Sequence, residues 1–355
     1  MNNRVQSIDG LRLFLFLGIY LFHAYGHYFP IGWGGVECFL LITSFFLTSK
    51  LLNQNPTDIR IIPSVIRRAK RLYPLYILIV VVMAIAGTIL QKRLPDDFFS
   101  YFIFAQNYYW LYDPDGSRVL ACGHFWYLTL DVYLVLIWLI LFKYVNRQYI
   151  VQMLLALIVL AIVYRAYFSQ VNPLLAYMVP FGAIDSFALG GLLAVTTARK
   201  NVLKWIPIAV FALGGVGLVA CIAYVTVLNG VSLWEGLVLF NSSAGYAHDP
   251  YAIQILLAVP LMGYGLVWTC LSPRKHYGIF SNSKIVSAGG MTYEFYLLHY
   301  PVLVVLKALF RNGIAVILVG LALTYAGTIM WNKFYALVTK KCLNEKDRRT
   351  VKNSY

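Results

Sequence analysis

Arg12 and His23 stand eleven residues apart in "DGLRLFLFLGIYLFHAYGHYF", residues 9–29, a run otherwise apolar enough to cross a membrane. At about 100° per residue, eleven steps make roughly three turns plus 20°, so in a helix the two share a face, about 16 Å apart along its axis. The guanidinium then lies at one rim of the bilayer and the imidazole near its middle or just beyond. Ionisable side chains at membrane depth face the protein interior or a water-filled path. One such pair suggests a polar path entered from the cytoplasm. Taken singly, a snorkelling arginine and a histidine bonded to a neighbouring helix are the plainer alternatives. A second cluster is "VIRRAKRLYPLYIL", residues 65–78, with Arg67, Arg68, Lys70 and Arg71. Membrane orientation alone needs one or two cations. Arg68 and Arg71, at i and i+3, share a face if the stretch is helical, and paired guanidinium groups suit a phosphate or pyrophosphate.

The elements that must position these residues are membrane helices. The chain has 355 residues, 60% of them hydrophobic and 12% charged, about half the charge of a soluble domain, with a mean hydropathy of +0.70. Ten apolar spans are expected at 10–27, 33–52, 72–91, 124–142, 149–167, 178–197, 205–228, 251–271, 289–310 and 314–338, each near the ~20 residues a bilayer requires. The fold class is an all-α polytopic membrane protein. Residues 1–340 form the membrane domain and 341–355 a polar cytoplasmic tail. The net charge of +15 is distributed as topology rather than as a nucleic-acid surface. Of the 29 Lys and Arg, 23 fall in connections on one side; Lys92, Arg93, Arg118, Arg165, Lys307 and Arg311 fall on the other. The positive-inside rule then puts both termini in the cytoplasm. The apolar run after Arg4 reads as a retained first span rather than a cleaved leader. The five cysteines show neither disulfide nor metal spacing, so no metal is expected. Two long outer loops remain, 92–123 and 229–250. The first, rich in aromatic residues, reads as an interfacial anchor or as one wall of a substrate cleft.

Five segments in order resemble acyltransferase family 3, the integral membrane sugar O-acyltransferases of bacteria. "SIDGLR" (7–12) with Arg12-x10-His23 is similar to that family's opening signature. "GGVECFLLITSFFLTSKLL" (34–52) resembles its second span, and "RRAKRLYPLY" its basic motif before the third. "HFWYLTLDVYLVLIW" (124–138) and "TYEFYLLHYPVLV" (292–304) resemble its His-x-Trp-x-Leu and Tyr-x-x-Tyr-Leu-x-His-x-Pro segments. There are departures. Thr43-Ser44 replaces a Ser-Gly pair, which weakens any tight helix contact assumed there. Val132 stands at a usual second acidic position, and Glu294 where a small residue is common.

The resemblance implies transfer of an acyl group, acetyl above all, from cytosolic acetyl-CoA to an outward-facing or lipid-linked glycan hydroxyl, such as O-antigen or exopolysaccharide, at the inner membrane. No metal enters this chemistry. Arg68 and Arg71, with Arg12 in support, would hold the donor's phosphates. His23 would act as general base or accept the acyl group itself. Asp131 could tune a histidine, pair with a buried cation or make a structural contact between helices. Glu37, near the outer start of the second span, reads equally as an interfacial acid. His124 could meet the acceptor or sit at the interface, and His299 reads as a helix-contact histidine before a catalytic one. With no further domain expected, the membrane domain would complete the reaction or pass the acyl group to a separate protein. A transporter or flippase of a polysaccharide precursor is the competing class; it would be expected to carry internal repeats, and none is visible.

Overall fold

The computed structural model describes residues 5–198, 205–239, 249–271, 278–310 and 312–352, with side chains as far as 339. Arg4, Arg199, Lys200, Lys204, Arg274, Lys275, Arg311 and the side chains of the polar tail lie outside the described residues. The described residues form helices and no strand. Ten helices carry the architecture: α1 (Gln6–Tyr25), α2 (Gly35–Leu52), α3 (Ile61–Gln91), α4 (Trp126–Tyr144), α5 (Ile150–Val171), α6 (Pro180–Ala198), α7 (Ile206–Asn229), α8 (Ile255–Leu271), α9 (Thr292–Leu309) and α10 (Gly313–Lys352). Among the described residues, nine helical segments are long and apolar enough to cross a membrane. The chain is a multi-pass membrane protein. The expected span that is not among these nine is 289–310, which coincides with α9, where Glu294, His299 and Lys307 break the apolar pattern.

The helices sort into a centre and a perimeter. The segment Pro173–Ala198 buries 89% of its apolar window inside the protein, whereas Ile206–Asn229 buries 17% and Gly313–Thr339 22%. Most side chains of α7, and of α10 as far as Thr339, therefore face lipid, which a helix can do because its backbone is satisfied internally. At the centre α2 packs against α6. A Cβ on Gly190 would stand 2.2 Å from the Leu41 carbonyl oxygen, so only glycine allows this approach. Beside it, Ser44 Oγ donates to the Phe187 carbonyl at 2.5 Å. The weakened contact expected at Thr43-Ser44 is thus corrected: the small residue that permits close packing comes from α6, and Ser44 adds a hydrogen bond. Trp138 Nε1 of α4 donates to Thr48 Oγ1 of α2 at 2.8 Å, tying a third helix to the pair.

α3 begins eleven residues before the expected third span, so the basic stretch 65–71 is helical and projects beyond the apolar run. Its 31 residues extend about 46 Å at 1.5 Å per residue, more than the ~30 Å hydrocarbon layer. α9 is pinned to its neighbours by two tyrosines. Tyr293 Oη donates to the Leu72 carbonyl of α3 at 2.6 Å, and Tyr296 Oη to the His124 carbonyl at 2.5 Å. The loop 92–123 divides its aromatic residues. Phe99 and Tyr112 are exposed, as an interfacial anchor requires, while Tyr101 and Trp110 are buried. Asp97 accepts from Trp110 Nε1 and the Val119 amide, both at 2.8 Å, and so closes the loop on itself. Gln106 and Asn107 then donate to the carbonyls of Phe125 and Trp126, each at 2.9 Å, fixing the entry to α4.

One acidic residue and one cation depart from their expected surroundings. Arg165, expected as an outer topological cation, is 0% exposed. It donates to Asp185 Oδ2 at 2.7 Å and to the Gly182 carbonyl at 2.8 Å, joining α5 to α6. Glu37 is not interfacial; it is 3% exposed and accepts from Ser186 Oγ. An ionised side chain at this depth persists only when paired, and Asp185 supplies the pair. Arg165→Met is expected to lower folding stability by about 3–5 kcal/mol, because it leaves a buried carboxylate unpaired. The double variant Arg165→Met/Asp185→Leu is expected to recover most of that loss. Thermal unfolding in detergent would check both.

Candidate active site

A cavity of about 1200 Å³ opens at the face that carries the basic connections. Its mouth is lined by Lys50, Arg60, Arg67 and Arg71, all exposed. None of these four cations has an ion-pair partner among the described residues. Deeper in, the wall carries Arg12 from α1, Arg68 from α3 and Asp131 from α4. Phe39, Tyr127 and Tyr296 also line it.

The two inner arginines are already neutralised. Arg68 donates from Nε and Nη2 to the two oxygens of Asp131, at 2.7 and 2.5 Å. Arg12 donates to Asp9 at 3.1 Å and stands over the ring of Phe46. Arg68 and Arg71 both line the cavity, as their spacing predicts, yet they differ in pairing: Arg68 is held by Asp131, and Arg71 has no ion-pair partner among the described residues. Of the roles considered for Asp131, the structure realises pairing with a cation. Its hydrogen-bond partner among the described residues is Arg68, and none of the described histidines bonds to it.

Beyond Tyr296 lies a cluster that spacing alone did not assemble. His23 from the last turn of α1, His299 from halfway along α9 and His124 from the entry to α4 come together. Ring centroids are 5.0 Å apart for His23 and His299, 5.2 Å for His124 and His299, and 6.3 Å for His23 and His124. Tyr300 closes the group, 4.9 Å from His23 and 5.1 Å from His124. His23 Nδ1 and His299 Nε2 are hydrogen-bonded at 2.8 Å. His299 Nδ1 is 2.6 Å from the Tyr296 carbonyl oxygen. Both ring nitrogens of His124 are buried without a hydrogen-bond partner among the described residues, an arrangement that buried polar groups rarely keep. His23 is partly exposed and is not among the cavity-lining residues. Lys307 donates to its backbone carbonyl at 2.7 Å.

Helix ends and breaks put these rings in place. α1 ends two residues after His23, so its last turn meets the middle of α9 rather than its end. Pro301 interrupts α9 just past His299 and leaves the Leu297 carbonyl without its helical donor. His299, expected as a helix-contact histidine, is indeed in contact, but with His23 itself. The sequence reading missed Tyr296, which separates the cavity from the histidines and bonds both His124 and His299. The signal available was its place in the Tyr-x-x-Tyr-Leu-x-His pattern, one turn before His299. Glu37 belongs to the Arg165–Asp185 group, bonded to Ser186, and has no hydrogen bond to this cluster among the described residues.

No solved structure matches this chain. A Staphylococcus aureus (strain COL) protein provisionally named as an O-acetyltransferase is 22% identical over 331 residues, 87% of this chain and 52% of that protein. The O-acetyltransferase OatA of S. aureus strain NCTC 8325 is 20% identical over 330 residues, with the same coverage. The chain thus spans about half the length of the curated relatives it matches. Residues 5–331 match the family described as an acyltransferase domain, and with the arginine, histidine and tyrosine motifs gathered about one cavity, the chain belongs to acyltransferase family 3.

Proposed function

We propose that this chain is a membrane O-acyltransferase that moves an acyl group, acetyl by preference, from cytosolic acetyl-CoA to a hydroxyl of a glycan presented at the far side of the cell membrane. The observation that carries the reading is the cavity: it opens among four unpaired cations and ends one residue short of three clustered imidazoles. A CoA thioester has the matching shape, phosphates at one end and a reactive carbonyl at the tip of a long arm. Lys50, Arg60, Arg67 and Arg71 would take the phosphates. The Arg68–Asp131 and Arg12–Asp9 pairs would shape the wall along which the arm runs, with their charges already spent on each other.

The acceptor hydroxyl would meet His23, whose neutral imidazole suits proton abstraction near neutral pH. His124 supports the same reading. Its two unpartnered nitrogens offer one donor and one acceptor to an incoming hydroxyl or carbonyl. The glycan acceptor is taken from the family resemblance, and the O-acetyl transfer is supported by the O-acetyltransferase names of the relatives.

Purified chain in lipid, given labelled acetyl-CoA and a surface-glycan extract, is expected to release CoA thiol and transfer label. His23→Ala should lower that rate at least ~100-fold while the protein still inserts, the scale of a lost general base. Label transfer at the native rate by a well-expressed His23→Ala would reject the reading. Arg71→Ala is expected to weaken acetyl-CoA binding about tenfold, the value of one charge-assisted contact, with acceptor KM unchanged. Asp131→Asn should lower thermal stability by freeing Arg68, while kcat of the folded fraction stays within about tenfold; a direct catalytic role would give the reverse, on the scale of ~100-fold or more.

A further inference from the structure

We infer that the reactive atom of the site is Nε2 of His23, and that His299 is the positioning residue that makes it so. The Tyr296 carbonyl can only accept, so the nitrogen 2.6 Å from it, His299 Nδ1, must carry a hydrogen. A neutral imidazole has one N–H, so His299 Nε2 then bears a lone pair. That lone pair faces His23 Nδ1 at 2.8 Å, and the bond exists only if His23 donates from Nδ1. A neutral His23 donating from Nδ1 leaves its own lone pair on Nε2. No described residue holds Nε2. One backbone carbonyl of α9 therefore sets, through two rings, which nitrogen on α1 is basic. A hydrogen bond to one ring nitrogen commonly selects a histidine's tautomer in this way.

The consequence for catalysis rests on the transferase reading; the tautomer itself does not. With Nε2 free, His23 takes the proton of the acceptor hydroxyl. The O–H bond breaks as the N–H bond forms, and the oxygen bonds to the acyl carbon. The C–S bond breaks with its electron pair leaving on sulfur, and the proton on Nε2 passes to that sulfur. Ester and thiol depart with His23 restored. In between, the imidazolium keeps its Nδ1–H bond to His299, now strengthened by charge. Had His23 carried its hydrogen on Nε2, the atom facing the hydroxyl would hold no lone pair to receive it.

The test uses full-length protein in lipid with ¹⁵N-labelled histidine, His23 signals being assigned as those lost in His23→Ala. The native protein is expected to show His23 with Nδ1 protonated and Nε2 bare. His299→Leu should move the hydrogen to Nε2 and lower kcat about 100-fold, with the KM for acetyl-CoA unchanged. His299→Gln, whose side-chain oxygen can still accept from Nδ1–H, should keep the native tautomer and stay within about tenfold of native kcat. A native His23 protonated at Nε2 would overturn the inference, as would native kcat in His299→Leu or a Gln variant as impaired as Leu. A native protein that transfers no label would reject the transferase reading alone, since the spectrum reports the tautomer without turnover.

Discussion

Water is absent from the hydrocarbon layer, so each polar group that enters it must find its partner within the chain. This constraint accounts for much of the architecture. Arg165 is fully buried because Asp185 and the Gly182 carbonyl receive it. Arg68 lies against Asp131 because both oxygens of the carboxylate are taken. Tyrosine hydroxyls on α9 close on the backbone of α3 and of the segment that begins α4. Each bond satisfies a group and also joins two helices, so satisfaction and tertiary structure are the same event.

The groups left unsatisfied are then informative. At the mouth of the cavity four cations have no ion-pair partner among the described residues, and they are exposed, where water and counterions can serve them. Deep inside, the two nitrogens of His124 have no hydrogen-bond partner among the described residues and no such exposure. His23 is intermediate: one ring nitrogen is bonded to His299 and the other is open. A path thus runs from free charge at the basic rim, past arginines whose charge is cancelled, to imidazoles with spare hydrogen-bonding capacity. Anion binding and proton transfer have opposite needs, a solvated positive surface for one and a neutral base for the other. The two are kept apart by the Tyr296 layer.

The architecture was legible in the sequence because membrane helices announce themselves through length and composition. Ten spans were expected, and the ten helices correspond to them, α9 included despite its polar residues. The face shared by Arg12 and His23 was legible too, since helical periodicity carries a face as surely as a length. Arg165 was misread because charge patterning records only which loop or half-helix a cation belongs to. Its burial depends on Asp185, twenty residues away and on another helix. Glu37 was misplaced for the same reason, and the Thr43-Ser44 departure was compensated by Gly190, which lies on a different helix from the one where it was sought.

By itself the sequence determined the fold class, the order of the spans, the basic rim and the presence of His23 on the face that leads inward from it. These are local properties, set by hydropathy, periodicity and charge along one stretch of chain. Only the tertiary structure decided which arginines are free and which are cancelled, because that depends on whether a carboxylate from another helix reaches them. It also decided that His299, 276 residues from His23 in the chain, is its hydrogen-bond partner. That pairing requires α1 to end beside the middle of α9. No pattern within either helix encodes it, because it is set by how far each helix is inserted relative to the other.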